Sequence, residues 1–264
     1  MDNRPIGVFD SGLGGLSVWK EIAQLLPEES LVYYADSKYC PYGSKTQASL
    51  IELSRSITQF LIKENCKLVV VACNTATAAA ITTLRNEFPL PFVGMEPAIK
   101  PAALHSQTGH IGVLATENTF KGNHFNTTKT KHASATHVHT QIGHGLVELV
   151  EAGQHNTPEA ISHLSQLLQP LLGYPIDHLV LGCTHYPFLE GALQGVISKE
   201  VKIVNPAPAV ARQVQKVLLS ENMQCQSPHK PQFLFYTSGE VLHLQAFMQE
   251  HLSLDMEGIL VKSV

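Results

Sequence analysis

The chain has 264 residues, 44% hydrophobic and 15% charged, with a net charge of −4. That is enough apolar material for one large domain or two smaller ones, and the mild acidity, with no basic run, argues against nucleic acid as a partner. No apolar stretch is long enough to span a membrane and the first five residues lack a signal-like core, which points to a cytoplasmic protein without membrane attachment. The five cysteines include no CxxC pair and are expected to be free thiols.

Ile6-Gly7-Val8-Phe9 predicts a short strand. It ends in Asp10-Ser11-Gly12-Leu13-Gly14-Gly15, a glycine-rich turn opening a helix with Trp19, Ile22, Ala23 and Leu26 on one face and a stop at Pro27. No Gly-Lys-Ser/Thr follows, and the pattern is too weak for a dinucleotide fingerprint. The reading that fits is close backbone approach to a small anion at a helix N-terminus; a plain tight turn is the alternative. Leu31 to Ala35 predicts the next strand, ending at Asp36. Pro41-Tyr42-Gly43-Ser44 reads as a turn before a helix from about Thr46 to Lys63. Leu68-Val69-Val70-Val71 reads as a buried parallel strand. Ala72 and Cys73 follow it, then Asn74 and Thr75, then small helix-tolerant residues to about Glu87. Pro97 and Pro101 bracket a crossing to a second unit.

The second unit opens with Ile111-Gly112-Val113-Leu114, with Thr116 and Thr119 at the strand end. His124, His132, His137, His139 and His144 follow without a helical His-x3-His or a carboxylate partner, so they read as neutral surface imidazoles and no metal site is expected. Gly145 to Ala152 predicts a helix carrying Glu148 and Glu151. Thr157-Pro158 predicts an N-cap and first turn. Leu179-Val180-Leu181-Gly182-Cys183-Thr184-His185-Tyr186-Pro187 repeats the layout around Cys73. A short strand over 201–204 and a helix from about Ala209 to Ser220 return the chain to the first unit, where 233–236 and 258–261 read as edge strands.

Two copies of strand–Cys–helix, each preceded by an Ile-Gly-Val strand, indicate an internal duplication. The fold expected is α/β: two similar open-sheet domains related by pseudo-symmetry, 1–97 with 208–264 and 98–207, docked tightly around a cleft. Cys73 and Cys183 then sit at carboxyl ends of parallel strands, where ligands bind. Backbone N–H groups and the helix dipole there are expected to lower a thiol's pKa. Two thiols across one cleft, with no cofactor motif in view, can act as base and acid on opposite faces of a substrate. That suits removal of an α-proton from an amino acid and its return to the other face. Asp10 near Cys73 and His185 near Cys183 are candidate supports. A redox pair is the competing use of two cysteines, although such pairs usually lie close in sequence. Cys40, Cys66 and Cys225 lack this setting and receive no role.

The ordered set Asp10-Ser11-Gly12-x-Gly14-Gly15-Leu16-Ser17, Asp36 with Pro41-Tyr42-Gly43, Cys73-Asn74-Thr75 and Cys183-Thr184-His185-Tyr186-Pro187 resembles the glutamate racemases of the aspartate/glutamate racemase family over nearly the whole chain. The resemblance implies a cofactor-independent enzyme that interconverts L- and D-glutamate for peptidoglycan, with two α/β domains and often a homodimer. It implies Cys73 and Cys183 as the acid/base pair, with Asp10, Asp36, Glu151 and His185 supporting them. Glu148 stays open as the alternative to Glu151. Asp10, Ser11, Pro41, Tyr42, Gly43, Asn74, Thr75, Thr116, Thr119, Thr184 and His185 match substrate-binding positions. Two other functions remain open: a related two-cysteine racemase acting on aspartate or a hydantoin, and a non-catalytic two-lobed protein that binds a small anion.

Overall fold

The computed structural model describes residues 2–133, 135–225, 230–252 and 259–264. Four strands alternate with helices at the start of the chain. They are β1 (Ile6–Asp10), β2 (Leu31–Ala35), β3 (Leu68–Val71) and β4 (Phe92–Gly94), joined by α1 (Leu16–Leu25), α2 (Gln47–Lys63) and α3 (Asn74–Glu87). After α4 (Ile99–His105) the pattern restarts. The chain runs through β5 (His110–Ala115), α5 (Glu117–Lys121), α6 (Asn123–His132), β6 (His137–Ile142), α7 (Leu146–Glu151), α8 (Pro158–Leu172), β7 (His178–Gly182), α9 (Glu190–Val196) and β8 (Lys202–Val204). It closes with α10 (Ala207–Ser220), β9 (Phe233–Thr237), α11 (Val241–His251) and β10 (Leu260–Ser263).

These strands form two all-parallel sheets. The first has the order β10-β9-β2-β1-β3-β4 and the second β6-β5-β7-β8. The inner order is the same in both: second strand, first, third, fourth. The expected duplication is therefore present in the topology, with β9 and β10 added to one copy. In each sheet the chain leaves its first strand on one side and returns on the other, so a crevice opens at the strand ends. β1 and β3 flank it in one sheet, β5 and β7 in the other.

The central strands are buried on both faces, which explains their near-continuous apolar runs. The largest core cluster is shared between the sheets: Leu16, Trp19 and Tyr33 belong to it with Leu114, Leu146, Leu164 and Leu181. α10 packs on α1.

Two expectations are corrected and one stretch without a predicted element is filled in. β9 is not an edge strand, because it pairs with β2 on one side and β10 on the other; of the expected 258–261 strand, residue 258 lies outside the described residues. The histidine-rich stretch, for which no element was predicted, holds α6 and the edge strand β6, whose half-polar sequence hides its period. After Cys183 the chain makes a short 3₁₀ turn, Tyr186–Leu189, before α9.

Candidate active site

Cys73 caps α3. Its sulfur accepts the Ala76 N–H at 3.4 Å, and its own thiol donates to Ser11 Oγ at 3.8 Å. Ser11 in turn donates toward Asp10 Oδ2 at 3.5 Å, so Asp10 reaches Cys73 through a hydroxyl. The same carboxylate accepts the Gly12 N–H at 3.1 Å and the Thr184 hydroxyl at 3.0 Å. This last bond joins the strand ends of the two sheets.

Cys183 is set differently. Its sulfur lies 3.7 Å from His185 Nδ1, while His185 Nε2 lies 2.7 Å from Glu151 Oε1. The Leu13 N–H donates to that same Glu151 oxygen at 2.7 Å. The glycine-rich turn thus approaches an anion, but the anion is the protein's own. A Cβ on Gly12 would overlap the Glu151 carboxylate, and one on Gly14 would overlap the His185 ring. Glycine is required there by close approach.

Charge follows burial and partners. Burial, then the nearby Asp10 charge, pushes the Cys73 thiol up to about 12, outweighing the Ala76 N–H that draws it down. The expected lowering is therefore overturned at Cys73: one N–H does not offset complete desolvation. Burial also raises Asp10, against the pull of His185. Burial alone would lower His185, but hydrogen bonds to Cys183, Cys40 and Glu151 hold it well above its ordinary value. Burial would raise Glu151, and the hydrogen bond and charge of His185 hold it below its ordinary value instead. His185 is thus an imidazolium whose two N–H groups face a sulfur and a carboxylate.

A cavity of about 150 Å³ lies between the two sets. Of the residues singled out from sequence, Ser11, Pro41, Tyr42, Gly43, Cys73, Asn74, Thr75, Thr116, Cys183, Thr184 and His185 line it. Asp10, Asp36, Thr119 and Glu151 stand behind that lining. Asp36 accepts the Tyr42 hydroxyl at 2.5 Å and the Ser238 hydroxyl at 2.8 Å, so it holds Tyr42 in place. Thr119 shares a 2.9 Å hydrogen bond with Thr116, which meets Thr75 at 2.8 Å across the sheets. Asn74 is 3% exposed, and neither its amide nitrogen nor its oxygen has a hydrogen-bond partner among the described residues. An unpaired buried amide at a cavity wall is a ready anchor for a polar ligand.

Sequence reasoning missed the wall formed by Ile142, Gly143, Gly145 and Val147, which His144 and Glu148 complete. Only its place just past β6 signals it, and β6 itself was hidden. Glu148 faces the cavity whereas Glu151 pairs with His185, which separates the two candidates by position. Cys40 was also missed: its sulfur, a Glu151 oxygen and a His185 ring nitrogen all lie within 4.8 Å of one another. The chain around Cys40 has no strand–Cys–helix pattern that would have marked it. Of the histidine-rich segment, His139 Nε2 sits 3.0 Å from His110 Nδ1, and its ring stacks on Tyr174.

Two duplicated parallel-sheet units, each with a cysteine at the equivalent strand end and both cysteines lining one cavity, define a class of two-unit α/β proteins with a site between the units. A profile of the family described as Asp/Glu/hydantoin racemase matches residues 6–214, and the chain belongs to that family. Among its relatives, the glutamate racemase of Ectopseudomonas mendocina is 45% identical over 245 residues, covering 92% of this chain and 93% of that one. The glutamate racemase of Pseudomonas aeruginosa is 46% identical over 219 residues, with 83% of each covered. Among solved structures, a glutamate racemase isoform from Bacillus anthracis superposes with a TM-score of 0.91 at 31% identity, covering 100% of this chain and 98% of that one. The Escherichia coli glutamate racemase, solved with L-glutamate and the activator UDP-MurNAc-Ala, gives 0.86 at 32% identity over 98% of both chains. Among the described residues, no helix is long and apolar enough to cross a membrane.

Proposed function

We propose that this chain is a glutamate racemase, interconverting L- and D-glutamate by a two-thiol proton transfer without a cofactor and supplying D-glutamate for peptidoglycan from the cytoplasm. The observation that carries the reading is the pair of cysteines, Cys73 and Cys183, at equivalent strand ends and both facing one 150 Å³ cavity. In one direction Cys73, as thiolate, takes the α-proton of D-glutamate. The electron pair stays on the α-carbon, conjugated with the carboxylate, and Cys183 delivers its thiol proton to the opposite face. Cys73 ends as thiol and Cys183 as thiolate; the reverse reaction starts from that state.

Burial and the nearby Asp10 charge make Cys73 hold its proton strongly. The ammonium group of an arriving substrate adds the positive charge that favours its loss. Ser11 links Cys73 to Asp10, so the hydroxyl and the carboxylate form the path by which that proton leaves. On the other side the His185 imidazolium, fixed by Glu151, faces Cys183. The free Asn74 amide, with the hydroxyls of Thr75 and Thr116, binds the substrate's carboxylates. Domains spanning 1–97 with 208–264 and 98–207 each bring one thiol, and a homodimer is the assembly in keeping with the resemblance.

The test is incubation of the purified protein with each glutamate enantiomer in D2O, following optical rotation and the α-proton signal together. Loss of rotation with deuterium entering the product α-carbon is expected from both enantiomers, with no added cofactor. Activity on aspartate or a hydantoin alone would move the assignment elsewhere in the family, and no exchange with any of them would overturn it.

A further inference from the structure

A second cluster of titratable groups lies outside the cavity. His155, in the turn between α7 and α8, faces Glu250 and His251 at the end of α11. His155 Nε2 and His251 Nε2 stand 3.7 and 3.6 Å from the same Glu250 oxygen, Oε1. One donor atom from each of the three side chains lies within 4.8 Å of the others.

We propose that His155, Glu250 and His251 bind one divalent transition-metal ion of the zinc type, tying α11 to the α7–α8 turn. The gaps are too long for hydrogen bonds. They are near the ligand–ligand edge of about 3.4 Å that a tetrahedral zinc with bonds of about 2.1 Å requires. Both ring nitrogens of His155 lack a hydrogen-bond partner among the described residues although the side chain is 1% exposed, and His251 Nε2 is likewise unpartnered. A buried imidazole left unpaired is costly unless something occupies its lone pair.

Two imidazoles and a carboxylate suit zinc, cobalt or nickel rather than magnesium or calcium, which prefer all-oxygen sets. Phe188 and Phe247 form an apolar floor. Glu250, with its side chain 58% exposed, gives a route from solvent and leaves the fourth position to water. Lys20 is the neighbouring cation, and its ammonium is engaged by the His251 carbonyl oxygen at 3.1 Å. The Cys40, Glu151 and His185 group is equally compact, but its Glu151–His185 contact is already a 2.7 Å hydrogen bond that an ion would have to break. His155 follows Glu151 by one turn of chain, so an ion there braces the segment that carries the carboxylate partner of His185.

The experiment uses the full chain, stripped with a chelator, and titrates it with Zn2+ by calorimetry and with Co2+ by visible absorption. One ion per chain is expected, with cobalt bands of a nitrogen/oxygen site and a thermal midpoint that rises by several degrees with Zn2+. Glu250→Ala and His251→Ala, both at partly exposed positions, should each weaken binding by about tenfold or more and abolish the thermal shift. Binding unchanged in both variants would overturn the site. So would a thiolate-to-cobalt charge-transfer band in the wild type, which would place the ion on cysteines, or no binding at about 100 µM metal, well above the affinity of a built site.

Discussion

The two cysteine corners occupy the same place in the duplicated topology but differ in everything that surrounds the sulfur. Cys73 caps a helix of 14 residues, is supported by a neutral hydroxyl, and is pushed up to about 12 by burial. Cys183 precedes a 3₁₀ turn and faces an imidazolium anchored on a carboxylate. Duplication supplied two equivalent positions, and divergence of the neighbours made the two thiols chemically unequal. An inverting enzyme can use such inequality, because the two faces of its substrate are not equivalent either.

The most severe way to break the comparison is to remove one thiol. Cys73→Ala or Cys183→Ala should reduce racemisation by about 10³-fold or more, the scale of lost general acid–base catalysis, with serine nearly as poor at neutral pH. Each serine variant keeps one thiol and should still eliminate a leaving group from a β-substituted glutamate. Cys183→Ser should prefer the D analogue and Cys73→Ser the L analogue. Reversed preferences would exchange the facial roles, and wild-type racemisation in either variant would remove the two-thiol mechanism.

Glu151→Gln strikes the Cys183 corner directly and the Cys73 corner only through the Leu13 N–H of the glycine turn. It should slow turnover from L-glutamate by about 10- to 100-fold, the size of a lost orienting partner, and slow α-proton abstraction from D-glutamate less. Stability carries its own signature. Glu151, held below its ordinary 4.5, contributes stability above that value and loses it as pH falls through the lowered one. His185, held well above its ordinary 6.5, contributes below that value and loses it as pH rises through the raised one. The pair's contribution is therefore complete between 4.5 and 6.5 and fades on both sides. The difference in thermal midpoint between wild type and Glu151→Gln should be greatest in that window. A difference that keeps growing into alkali would contradict the assignment.

Asn74→Ala tests the helix that Cys73 caps. Removing an unpaired buried amide should leave the thermal midpoint unchanged or raise it, while KM rises about tenfold, the equivalent of about 1.4 kcal/mol of lost anchoring. An unchanged KM would remove Asn74 from the binding set.

Thr184→Val and Thr157→Val give the finest discrimination. Thr184 donates to Asp10 from the cavity wall, and its loss leaves a buried carboxylate oxygen short of a donor, at about 1–3 kcal/mol. Thr157 caps α8 by accepting the Ala160 N–H at 3.3 Å, so its loss should cost about 1 kcal/mol of stability and no activity. Equal kinetic effects from both, in folded protein, would count against the site.

Local pattern read the β3–Cys73–α3 and β7–Cys183 corners correctly, because a buried parallel strand writes itself as an unbroken apolar run and a cap as a small polar residue. It read Asp10 and the glycine turn as special without finding why. The reason is Glu151, 138 residues beyond Leu13, whose N–H it accepts. Asp36 shows the same limit: its position at a strand end was legible, whereas its service to Tyr42 and Ser238 was not. His155 carried no signal at all, since Glu250 and His251 lie on a helix near the other end of the chain.

The sequence by itself determined the α/β class, the duplicated unit, the two thiols and their place at strand ends, because these depend on hydrophobic period and on residues adjacent in the chain. Only the tertiary structure decided the charge state of each corner. Desolvation of Cys73, the imidazolium at His185, the carboxylate in the glycine turn and the hydroxyl bridge from Thr184 to Asp10 all arise between segments distant in sequence. Burial and opposing charge act through space, and a pKa is set by the neighbours that docking the two sheets brings together.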